Sequence, residues 1–96
     1  MLIHIVCWKY KTEITDDARN EHRAKLVALK AVIPEVIDLK VGADVLRLER
    51  SFDTGLVATF ADRTALEAYN IHPAHQEVVR LGRKIAERVV SVDFNE

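Results

Sequence analysis

The chain has 96 residues, a length suited to one domain over 1–96 and large enough to bury a core without disulfide or metal staples. Hydrophobic residues make up 49% and charged residues 30%, which excludes a disordered chain. A net charge of -1 and a pI near 6.4 exclude the strongly basic character of nucleic-acid binders, and the single cysteine, Cys7, excludes an internal disulfide and fits a reducing, cytoplasmic setting.

Ile3 to Tyr10 is rich in β-branched and aromatic residues and predicts a first strand. The apolar run from Leu2 to Cys7 is too short to span a bilayer and carries no signal-type flanks, so no membrane partner is expected. Thr15 is a good N-cap, and Asp16 and Asp17 suit the positive end of a helix. Ala18, His22, Leu26, Leu29 and Ile33 recur at helical spacing and Pro34 stops the run, which predicts a helix over 16–32. His22 reads as a core-edge histidine on that stripe.

Val36 to Leu48 reads as extended, with Leu39 and Val41 on one face and Gly42 as a bulge or kink. Glu49 to Gly55 is a polar turn region, and Leu56 to Phe60 is a third strand. Asp62 or Thr64 caps the next helix, and Thr64-Ala65-Leu66-Glu67 fits a capping box. That helix breaks near Asn70, because the residue before Pro73 is pushed out of the α region. Pro73 then starts another helix, with Ala74, Val78, Leu81, Ile85 and Val89 as its stripe. Val89 to Phe94 is the last strand.

The order β-α-β-β-α-β is the ferredoxin-like pattern. It predicts an α+β fold with one four-stranded antiparallel sheet and its helices on one face. The uncovered face of such a sheet should be polar. Instead, Ile3, Ile5 and Cys7 lie on one side of the first strand and Val6 and Trp8 on the other, and Val90, Val92 and Phe94 repeat the problem at the end of the chain. A large exposed apolar patch implies a partner, and a second copy of the chain is the simplest.

The segment Tyr69-Asn70-Ile71-His72-Pro73-Ala74-His75 sets a phenol and two imidazoles around one proline. His75 falls in the first turn of a helix, where the positive dipole end disfavours an imidazolium. A neutral imidazole near pH 7 is the usual acid–base group, which makes His75 and Tyr69 the candidate catalytic pair. Gly82 lies on the same side of the helix and leaves either room for a ligand or close helix packing. His4, Trp8 and His72 are candidate ligand-binding residues, each with a structural alternative. No metal is expected, because no carboxylate or cysteine stands at ligand spacing beside His72 and His75. Phosphate loops and nucleophile elbows are also absent.

Taken with His4 and Lys9 in the first strand, Ile33-Pro34, Val41-Gly42-Ala43-Asp44, Phe60 and Val92-Asp93, the Tyr-x-x-His-Pro-Ala-His string resembles the stress-responsive α/β-barrel (Dabb) family over nearly the whole chain. That resemblance implies a homodimeric α+β barrel in which two sheets pack face to face. Some members resemble polyketide cyclases, which work without a cofactor. In those, the residue matching His75 is the general base, the one matching Tyr69 polarises a carbonyl, and the one matching His4 lines the cavity. The chain departs from the cyclase pattern at Leu26, where those proteins carry an aromatic, and at Thr54, where they carry a histidine. Three functions follow as expectations: a domain holding an apolar or aromatic small molecule, a cyclase- or isomerase-like enzyme, and a ligand-free dimerisation module.

Overall fold

The computed structural model describes residues 1–96. The chain runs β1 (Leu2–Tyr10), α1 (Asp16–Val32), β2 (Asp38–Ala43), β3 (Thr54–Phe60), α2 (Arg63–Ile71), α3 (Pro73–Ile85) and β4 (Ala86–Asn95). The four strands form one antiparallel sheet in the order β2-β3-β1-β4. This is the ferredoxin-like α+β fold. No helix is long and apolar enough to cross a membrane.

Strand alternation divides the sheet into two unlike faces. Leu2, Val6, Trp8 and Tyr10 of β1 are buried with Leu56, Ala58 and Phe60 of β3. They share one core with Leu26 and Leu29 of α1, Leu66 and Tyr69 of α2, and Val78 and Ile85 of α3. The opposite face carries Ile3, Ile5 and Cys7 beside Phe94, Val92 and Val90, paired in register across β1 and β4. Val57, Val92 and Phe94 are each more than 40% exposed in the isolated chain. The sheet therefore has one helix-covered face and one bare apolar face.

Several boundaries differ from expectation. β2 ends at Ala43, and the chain turns away at Asp44, whose carboxylate accepts the Arg47 N–H at 2.7 Å and holds Arg47 at φ 56. Gly42 makes no bulge, because it pairs with Gly55 in an unbroken β2–β3 register. The sheet's irregularity lies instead between Lys9 and Tyr10, opposite β4. Asp62 is the cap of α2 and accepts the Ala65 N–H at 2.9 Å, so Thr64 lies inside the helix and the capping box does not form. Val89 belongs to β4, not to the α3 stripe, because the chain pairs with Tyr10 from Ala86 onward.

A buried polar chain sits under α1. Arg23 donates to Thr54 Oγ1 at 2.8 Å, Tyr10 Oη lies 2.8 Å from Thr54 Oγ1, and it lies 2.8 Å from His22 Nδ1. Arginine only donates, so each of these three contacts has one donor and one acceptor when Thr54 donates to Tyr10 and Tyr10 donates to His22. That order leaves a proton on His22 Nε2, which has no partner and is fully buried. Burial, and then the Arg23 charge, push the His22 pKa down to about 4.

Candidate functional site

The site is built around the His72-Pro73 junction. α2 continues one residue beyond Asn70, to Ile71, and His72, with φ -63 and ψ 133, caps both helices. Its extended backbone is what a following proline imposes. His72 Nδ1 accepts the Ala74 N–H at 3.1 Å. The tight turn folds the start of α3 back over the end of α2. The Tyr69 and His75 ring centroids then lie 4.2 Å apart, with their planes tilted by 38°. The two rings stack and do not hydrogen-bond to one another.

His75 Nδ1 lies 3.1 Å from the Asn70 carbonyl oxygen. A carbonyl only accepts, so Nδ1 carries the proton and Nε2 keeps a lone pair. Burial pushes the His75 pKa below the ordinary histidine value, and the neighbouring His4 and His72 push the same way, against the Asn70 bond. The ring is neutral near pH 7, chiefly because it is buried. Tyr69 is 1% exposed, and its hydroxyl bonds to no protein group. Burial raises its pKa to about 12, so it stays protonated and available as a donor.

Both side chains line a cavity of about 350 Å³ between the covered face of the sheet and the helices. One end is polar, with His4, Tyr69, Asn70 and His75. The walls are apolar, with Val6, Leu26, Leu56, Val78 and Val79. β4 contributes Val89 and Ser91, and Trp8, Gly82 and Arg83 complete the lining. His4 reaches the cavity from β1, edge-on to Tyr69 with ring centroids 6.1 Å apart. Its Nδ1 donates to the carboxylate of Asp93, the residue opposite it on β4. This carboxylate–imidazole pair orients the ring.

The fold thus brings together four of the five residues singled out from the sequence: Tyr69, His75, His4 and Trp8. His72 does not line the cavity; its ring is occupied in capping α3. Gly82 packs closely, since a Cβ there would stand 3.4 Å from both Trp8 Nε1 and His22 Nε2. The indole therefore fills much of the room that the glycine leaves. No three His, Cys, Asp or Glu side chains converge to hold a metal. Sequence reasoning missed Asp93 as the partner of His4, and it missed Asn70 and Arg83. The β1–β4 register that opposes His4 and Asp93 is the signal that would have found the first.

A family model described as "Stress responsive A/B Barrel Domain" matches residues 2–96. Olivetolic acid cyclase of Cannabis sativa is 29% identical over 93 residues, covering 95% of this chain and 92% of its own. Among solved structures, a dimeric ferredoxin-like protein of unknown function from Thermobifida fusca superposes with a TM-score of 0.90 at 25% identity, covering 99% of this chain and 90% of its own. Hydroxynitrile lyase from Passiflora edulis shares the fold with a TM-score of 0.88 at 21% identity, covering 99% and 94%. With the family model spanning nearly every residue, the chain belongs to the stress responsive A/B barrel domain (Dabb) family.

Proposed function

We propose that the chain is a homodimeric small-molecule-binding domain of the cytoplasm, holding an apolar or aromatic compound with a carbonyl oxygen placed at Tyr69. One observation carries this reading. A buried phenol with no protein partner faces a mostly apolar cavity large enough for a ligand. Its hydroxyl opens onto the cavity and donates to no protein group, so an acceptor on a ligand would give it a partner. The dimer is supported by the bare apolar sheet face and by the dimeric Thermobifida fusca relative.

A second reading is favoured by the His75 tautomer. With Nδ1 held by Asn70, Nε2 is a neutral base beside a donor phenol. That pair suits removal of a proton next to a ketone, with Tyr69 donating to the enolate oxygen as charge develops. The activity in the name of the Cannabis sativa relative, a cyclase, is in keeping with such chemistry. Benzoylacetone tests both readings. Calorimetry is expected to show binding by wild type and weaker binding by Tyr69→Phe. Deuterium exchange at its central carbon is expected to be faster with wild type than with His75→Ala. Equal exchange with both proteins would reject the enzyme reading, and absence of binding would reject both.

A further inference from the structure

We propose that the ligand is an organic anion, an apolar body ending in a carboxylate, and that Arg83 and the Trp8 indole N–H receive the carboxylate. The inference rests on the cavity being a ligand site and adds the charge of its occupant. Three observations support it. The cavity lining contains no Asp or Glu, and its one permanent charge is the guanidinium of Arg83. Arg83 is exposed at the cavity wall and forms no ion pair within the chain, so its charge is free to meet a ligand. Trp8 is 9% exposed and lines the same cavity, and its Nε1–H donates to no protein group.

The chemistry selects the ligand. An indole N–H and a guanidinium are donors only, so neither is satisfied by a cation or by another donor. Charge-assisted bonds from arginine to a carboxylate are the strongest of their kind, and arginine matches the planar group. Asp93, opposite His4 on β4, is already engaged by that imidazole. At the other end, Tyr69 offers a neutral donor and His75 a lone pair, which suit a ketone or a phenol in preference to a second charge. The cavity is therefore matched to a molecule with an anionic end, an apolar middle and a carbonyl-bearing or hydroxylated end.

Naphthoate and its methyl ester isolate the charge, because they share one apolar body. Wild type is expected to bind the anion about tenfold more tightly than the ester by calorimetry, with the preference falling as salt rises. Arg83→Gln should bring the anion to the level of the ester and leave the ester unchanged. Trp8→Phe should weaken the anion several-fold and the ester less; Arg83, being exposed, decides the matter alone if that variant does not fold. Equal binding of anion and ester by wild type, or a preference that survives Arg83→Gln, would overturn this inference and leave the ligand site standing. Binding of neither probe would overturn both.

Discussion

The buried imidazole of His22 ties stability to pH in a window fixed by two values. Unfolded, the ring titrates at 6.5; folded, burial and Arg23 hold it near 4. Between those values the unfolded chain takes up a proton that the folded chain refuses, so stability falls as pH falls. Full stability from this group is present above 6.5, and the loss is complete near 4. The interval corresponds to about 3 kcal/mol. His75, whose pKa is also lowered, adds to the loss in the same direction. The perturbation that isolates His22 is His22→Phe, which keeps a ring of similar shape and removes the titration. Urea unfolding of both proteins between pH 7.5 and pH 4, at one fixed protomer concentration, gives the comparison. Carboxylates and His75 contribute equally to both and cancel. Wild type should lose about 3 kcal/mol more than His22→Phe across the window. Parallel losses would show that the ring is protonated in the fold and that the burial argument is wrong.

Three further outcomes are expected. Pro73→Gly should destabilise by about 1 kcal/mol and lower Tm by about 5 °C, because it frees the unfolded backbone at a position whose φ proline presets; an unchanged melting curve would refute this. Asp62→Ala should cost about 1 kcal/mol by removing the acceptor for the Ala65 N–H, while Thr64→Ala, inside the helix, should cost far less. Light scattering at micromolar concentration should give a dimer burying about 1,200 Å² or more, and Val92→Glu on the bare sheet face should abolish it; a folded wild-type monomer would refute the second-copy reading.

What could be read from the sequence was whatever local chemistry dictates. β1 follows from its β-branched and aromatic run, and α1 from Thr15, the first-turn aspartates and Pro34. The Tyr69–His75 contact was legible because Pro73 alone forces the helix break that makes it. Gly42 was misread because its behaviour is set by Gly55, its partner across the sheet, and not by its neighbours in the chain. Val89 continued a helical spacing by coincidence, while pairing with β1 claimed it for a strand. The His4–Asp93 bond spans 89 positions of sequence and depends on a register that no local rule supplies. The unpartnered state of Arg83 and of the Trp8 indole emerges only when every competing acceptor has been placed.

The alternation along β4 has a consequence for how the protein can change. Val89 and Ser91 point to the cavity, and Val90, Val92 and Phe94 to the bare face. A single inserted or deleted residue near Ala86 would exchange the two sets. Ser91 would leave the pocket wall, Phe94 would swing toward the helices, and Asp93 would turn away from His4. Mutational drift in this strand is thereby confined to substitutions: side chains on either face are replaceable one at a time, but the length of the connection from α3 into the strand is not.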